Sequence, residues 1–338
     1  MGSAALSRVF LEIAKTSDFF KEIGGSKRHY QLKTNNQQLP MCGIVGLLIK
    51  NPSLRSSLGE LMVPMLIGMS QRGSDSAGLA VFTETLSENQ RKYSLYSYNS
   101  DFHWSGLADA WHAHFKITPT IEAHSNHAVL TADLTLESVK QWLNAHYPQI
   151  HLLSTGRAID LYKDAGSPIS IADRYHFKEL QGSHLVGHTR MATESAVTPA
   201  HAHPFTAGED FCLVHNGSLS NPYEIRRKLE HHGIHFETDN DTEAACRFLE
   251  WRMQEGDDLK TAIQHGFEAL DGFYTFLMGT ADKLALVRDA FACKPAVVAE
   301  TDDYVAIASE FRSLAHLPDI KHAHIYEPAP EEMYVWTV

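Results

Sequence analysis

Residues 41–49 read Met41-Cys42-Gly43-Ile44-Val45-Gly46-Leu47-Leu48-Ile49, and Lys50-Asn51-Pro52 ends the run. A short aliphatic stretch closed by turn residues predicts a buried strand. The cysteine at its head matters more than the strand. A cysteine that is the first residue of its chain carries a thiol and an amine together, and the amine serves as base for the thiol. Here 41 residues precede Cys42. While they stay attached, its nitrogen is an amide and accepts no proton. Three readings of residues 1–41 are open: a propeptide, a targeting segment, or an upstream start with the functional start at Met41. Removal of Met41 before a small residue would expose the amine. Leu6 to Ile13 is apolar, but acidic residues follow and no clear signal-peptide cleavage motif appears.

The chain of 338 residues has a formal net charge of −12. That balance argues against nucleic acid or an anionic membrane as the main partner, since both need clustered cations. Its four cysteines, Cys42, Cys212, Cys246 and Cys293, are too widely spaced for a disulfide scaffold or a CxxC metal site. Reduced thiols and a cytoplasmic location are the expectation. No apolar run approaches the ~20 residues of a spanning helix.

Further along, Leu58, Leu61, Met62, Met65, Leu66 and Met69 recur at helical spacing around Pro64. Gly78 to Phe82 reads as a strand. Residues 90–183 are least legible and are expected to form a structured insertion. Within them Tyr93 to Tyr98 alternates like an edge strand, and Leu136 to Tyr147 reads as a helix. Leu185 to Arg190 is predicted as a strand, and Phe211 to Val214 as another that Asn216-Gly217 turns back. Thr238 to Gly256 predicts a helix, with Asn240 and Glu243 spaced as a capping box. Four close-set strands follow, Phe273 to Met278, Leu284 to Arg288, Ala296 to Ala299 and Tyr304 to Ala308. The sum is an α+β fold, antiparallel sheets covered by helices.

Five segments carry possible chemistry, and each has an ordinary reading when alone. Cys42 in an aliphatic strand reads as a buried thiol. Arg190, in His188-Thr189-Arg190-Met191-Ala192-Thr193, reads as a surface ion pair, or as a bidentate holder of an amino-acid carboxylate. His215-Asn216-Gly217 is a turn, or two donors, the Asn216 amide and the Gly217 N–H, aimed at an oxyanion. Asp241 caps a helix, or pairs with a substrate ammonium. Arg72-Gly73-Ser74-Asp75-Ser76-Ala77-Gly78 is a turn, or a loop that closes over a ligand. Together they describe a site for an α-amino acid whose side chain ends in a carbonyl. His201-Ala202-His203 suggests a metal pair, but no further ligand stands at useful spacing, so no metal is expected.

This order of segments resembles the class II glutamine amidotransferases of the N-terminal-nucleophile hydrolase superfamily, from Cys42 to about Pro330 apart from the insertion. The resemblance implies a four-layer αββα sandwich of two antiparallel sheets over residues 42–338, and hydrolysis of L-glutamine to L-glutamate and ammonia. It also implies that Cys42 is the nucleophile and that Asn216 and Gly217 are the oxyanion donors. Arg190 would bind the substrate carboxylate, Asp241 its ammonium, Arg72 would belong to a mobile loop, and Thr193 would line the site. Two positions depart from the family pattern: Met191 where Trp is frequent, and Glu194 where His or Asn is frequent. The run Ala292 to Tyr304 is similar to the stand-alone amidotransferase subunit of N-methylglutamate synthase and glutamate-synthase-like systems. That implies flavin-containing synthase subunits as partners and no cofactor in this chain. No synthase domain follows residue 338, so the ammonia acceptor is expected on another chain. Two rival functions stand beside it: a non-catalytic glutamine-sensing subunit, and an N-terminal-nucleophile amidohydrolase of other amides, which Arg190 and Asp241 disfavour.

Overall fold

The computed structural model describes residues 42–191 and 197–338. The expected leader, 1–41, lies outside them. The strand Gly43–Ile49 is buried at every position and sits inside a seven-stranded antiparallel sheet. It is flanked by Tyr304–Ala308 on one side and His184–Arg190 on the other. Beyond His184–Arg190 come Ser76–Phe82 and Ile159–Ala165; beyond Tyr304–Ala308 come Val297–Glu300 and His324–Tyr326. A second antiparallel sheet holds Cys212–Leu219, Gly272–Gly279, Lys283–Arg288 and Met333–Thr337, with the short Phe205–Thr206 at one edge.

The two sheets stack face to face. Ile44, Leu48, Phe82 and Val186 of the first meet Val214, Leu277 and Leu286 of the second in one dry core. The opposite face of the first sheet (Val45, Leu47, Leu79) packs on the helix Leu58–Gly68, whose Met62, Met65 and Leu66 are buried. The opposite face of the second sheet (Leu213, Phe276, Met278) packs on the helices Pro222–His231, Asp241–Gln254 and Leu259–Ala269. Alternation along each strand supplies one face to each core. The result is a four-layer αββα sandwich.

Within the expected insertion, residues 91–156 build a third sheet, in the order Thr120–His124, His127–Ala132, Arg91–Ser97, Ile150–Gly156. The helices Trp104–Phe115 and Leu136–His146 share a core with it around Tyr93, Trp111 and Trp142. The expectation of an edge strand at Tyr93 is corrected: Arg91–Ser97 pairs on both sides. Its alternation reflects two buried faces, because Tyr93 and Leu95 enter the aromatic core while Ser94 Oγ accepts the Leu161 N–H of the main sheet at 2.9 Å. Ile159–Ala165 belongs to the seven-stranded sheet. Among the described residues no helix is long and apolar enough to cross a membrane.

The Asn216-Gly217 turn is also corrected. Cys212–Leu219 runs straight through it, with Asn216 opposite Thr275 and Gly217 opposite Tyr274. Gly217 adopts φ +149°, and a Cβ there would stand 2.1 Å from the Phe273 carbonyl oxygen. Glycine is needed for strand pairing at that point rather than for reversal.

Candidate active site

The antiparallel ladder fixes where the motifs meet. Gly43 pairs with Thr189, so Cys42 at the head of its strand comes alongside the end of the strand that finishes at Arg190. The stacked second sheet brings Asn216 and Gly217 to the same edge. The helix Asp241–Gln254 starts there, its Asn240 cap accepting the Thr242 N–H at 2.8 Å. A cavity of about 670 Å³ opens between them, lined by Cys42, Arg190, Asn216, Gly217, Asp241 and Lys294 among others.

Four of the six predicted positions beyond Cys42 thus converge on one cavity: Arg190, Asn216, Gly217 and Asp241. Thr193 lies outside the described residues. Arg72 is placed elsewhere. It is buried, donates from Nε to the Cys42 carbonyl oxygen at 3.1 Å, and pairs with Glu310 at 2.8 Å. In the loop that follows, Gly73 packs against the Thr189 and Arg190 backbone, where a Cβ would come within 2.7 Å. Arg72 therefore ties down the Cys42 carbonyl.

Cys42 is gripped by its carbonyl oxygen. Besides Arg72, the Asn216 Nδ2 amide donates to it at 3.1 Å. The thiol itself lies 3.7 Å from the Met191 carbonyl. Burial pushes the thiol pKa up, and the Met191 contact and the Arg190, Lys294 and Arg72 charges offset this only in part. As it stands the thiol is protonated at neutral pH and needs a base.

Asp241 is the opposite case. Burial would raise its carboxyl, yet hydrogen bonding and charge from His215 and the N–H groups of Leu219 and Thr242 hold it down at about 2. Oδ2 accepts the Leu219 N–H at 2.9 Å. It is a fixed anion on the cavity wall, suited to an ammonium group.

Behind Asn216 and Gly217 lies a buried histidine cluster that the sequence did not assign. His188 donates from Nε2 to the His215 carbonyl at 3.1 Å and stacks on His203 at 4.2 Å. His203 Nδ1 accepts the His215 N–H at 3.4 Å, and its Nε2 faces Thr242 Oγ1 at 3.3 Å. Thr242 Oγ1 also meets His215 Nδ1 at 3.1 Å. Burial drives His188 to about 3 and His203 well below the ordinary value, so both are neutral props at physiological pH. The available signal was that His215 precedes Asn216 and Thr242 follows Asp241. Among the described residues no group of three or more His, Cys, Asp or Glu is arranged to hold a metal ion. The capping box is also revised. Glu243 reaches the Glu237 and Thr238 N–H groups, at 2.8 and 2.7 Å, so it fixes the chain before the cap.

Comparison with known proteins agrees with this geometry. Residues 188–316 match the family model described as "Glutamine amidotransferase domain". The chain is 45% identical to the glutamine amidotransferase-like protein GlxB of Rhizobium meliloti, over 88% of this chain and 98% of that one. It is 32% identical to a putative glutamine amidotransferase of Methanothermobacter thermautotrophicus, over 87% and 99% respectively. Among solved structures, glutamine phosphoribosylpyrophosphate amidotransferase from B. subtilis superposes with a TM-score of 0.55 at 18% identity. That match covers 87% of this chain and 47% of the other, so the chain spans about half the length of that enzyme.

Proposed function

The chain belongs to the class II glutamine amidotransferases, and from that membership we propose that it hydrolyses L-glutamine to L-glutamate and ammonia for a partner synthase. The observation that carries the reading is the meeting of Cys42, Asn216, Gly217, Arg190 and Asp241 around one cavity. Arg190 and Asp241 offer a cation and an anion to the carboxylate and ammonium of an α-amino acid. The substrate side chain then reaches Cys42.

In this mechanism the working polypeptide begins at Cys42. The freed amine takes the thiol proton, and the thiolate adds to the carboxamide carbon of glutamine. The oxyanion receives the Asn216 amide and the Gly217 N–H; Asn216 would trade its Cys42 carbonyl contact for this role. The carbon–nitrogen bond breaks as the ammonium of Cys42 returns its proton to departing ammonia. Water cleaves the glutamyl thioester and the thiol is restored. Thr193, by family resemblance, borders the substrate. Arg72 is a positioning residue through the Cys42 carbonyl. We further propose that the ammonia acceptor lies on a flavin-containing synthase subunit, of the N-methylglutamate synthase or glutamate-synthase-like kind, in the cytoplasm, and that this chain needs no cofactor or metal of its own. Copurification with such subunits tests the partner.

A second reading is a glutamine sensor without turnover. The raised Cys42 thiol favours it while Met41 remains attached, because the base is then missing. Intact-mass measurement of the purified chain, paired with a glutaminase assay, separates the two. Turnover in material starting at Cys42 supports the enzyme; turnover in material that retains residues 1–41 overturns the amine as base. Glutamine binding without turnover in processed material establishes the sensor.

A further inference from the structure

A second cavity, of about 250 Å³, lies between the third sheet and the main body. Ser154, Thr155 and Tyr96 line it from the third sheet, and Lys163, Phe205 and Arg247 from the body. Lys163 is the unusual member. Its side chain is buried on the strand Ile159–Ala165. Nζ donates to the Ala202 carbonyl at 3.0 Å and stands 4.7 Å over the Phe205 ring. Among the described residues no carboxylate forms an ion pair with it, and burial lowers its pKa to about 8, against the pull of Glu237 and Glu243.

An ammonium has three donors, and the Ala202 carbonyl takes one. A buried cation without an anion is costly. The two nearby acids are engaged elsewhere: Glu243 binds Arg247 at 2.7 Å and the Glu237 and Thr238 backbone, and the Glu237 carboxylate stands 3.7 Å from Arg247. One more group stands on the same side: Ser154, paired with Ser94 on the face of the third sheet turned toward the body, has a buried Oγ with no hydrogen-bond partner. Buried polar atoms are rarely left so. Water would satisfy the Ser154 hydroxyl but would leave the charge uncompensated.

We propose that this cavity is a second ligand site, for a small oxyanion whose carboxylate or phosphate oxygens receive the Lys163 ammonium and the Ser154 hydroxyl. The ligand completes what the protein leaves open: a counter-charge and acceptors for at least three donors. The site is distinct from the glutamine cavity, although the two are neighbours along the chain. The Ala202 carbonyl that Lys163 holds is one residue from His203, and Thr238, on the wall of the second cavity, is followed by Asp239 on the wall of the first.

The test is calorimetric titration and thermal unfolding of the full chain with inorganic phosphate and, separately, succinate, against chloride at equal ionic strength. A saturable site for either anion, with a concentration-dependent rise in Tm, is expected. Phosphate alone or succinate alone would identify which oxyanion is preferred. Lys163→Met should weaken that binding at least about tenfold, as loss of a charged hydrogen bond does, and Ser154→Ala should weaken it less. The second variant serves if Lys163→Met does not fold. No saturable binding of either anion beyond chloride overturns the proposal, as does unchanged affinity in these variants. Glutamine turnover is not the readout, so the result stands whatever becomes of the catalytic reading.

Discussion

The two cavities lie on either side of one stretch of chain, residues 237–243, and they treat buried charge in opposite ways. In the cavity at Cys42 the charge is prepared. Asp241 receives the Leu219 N–H and stands 3.7 Å from His215, and Arg72 below Cys42 has Glu310. In the other, Lys163 has a carbonyl and an aromatic face but no anion paired with it among the described residues. A carboxylate held near 2 stays an anion across the physiological range. An ammonium pulled down to about 8 is already near losing its proton. The first cavity has its charges partnered; the second still lacks a component.

The contrast can be attacked most strongly at Cys42. Cys42→Ala should abolish glutamine hydrolysis, by at least about a thousandfold, while circular dichroism and Tm stay near the parent. Retained turnover would remove the first cavity from the reaction altogether. Asn216→Ala should lower kcat by roughly a hundred- to a thousandfold, the usual cost of one oxyanion donor, with little change in KM. A pure KM effect would instead make Asn216 a structural tie to the Cys42 carbonyl. Gly217→Ala should cost about 1–3 kcal/mol in denaturant unfolding, because it forces a side chain into φ +149° against the Phe273 carbonyl. An unchanged midpoint would show that the strand there relaxes freely.

The smallest effect is a pH dependence. Lys163 has a folded-state pKa of about 8, below the ordinary 10.5. The unfolded chain therefore binds more protons between those values, and this residue's contribution to stability rises with pH across that window. Below about 8 its penalty is fully present. Lys163→Met should remove that rise, so the stability difference between parent and variant narrows from pH 8 toward 10.5. A difference that is flat with pH would mean that the ammonium is already compensated, and the two cavities would no longer contrast.

The sequence made most of the first cavity readable, because its residues stand at element ends. Cys42 heads a strand, Arg190 closes one, and Asp241 opens a helix, so each motif coincides with a local boundary. Asn216-Gly217 was misread for a physical reason. The dipeptide favours a turn locally, but pairing with Thr275 and Tyr274, nearly sixty residues later, overrides that preference. The contacts of Arg72 gave no local signal, because its ion-pair partner Glu310 is 238 residues away. Lys163 gave no signal in Asp160-Leu161-Tyr162-Lys163-Asp164. Its burial comes from Ala202, Phe205 and the third sheet, none of them local. The two-sheet core was legible in outline; how the third sheet rests upon it was not, since its strands alternate on two packed faces.

The double grip on the Cys42 carbonyl has a mechanical corollary. Both fastenings, from Arg72 and from Asn216, act on the side of the residue that faces into the domain, and the sheet register starts only at Gly43. Scission of the peptide link ahead of Cys42 would therefore loosen neither fastening. The head of the strand could shed everything upstream and keep its position to within the stiffness of those two contacts.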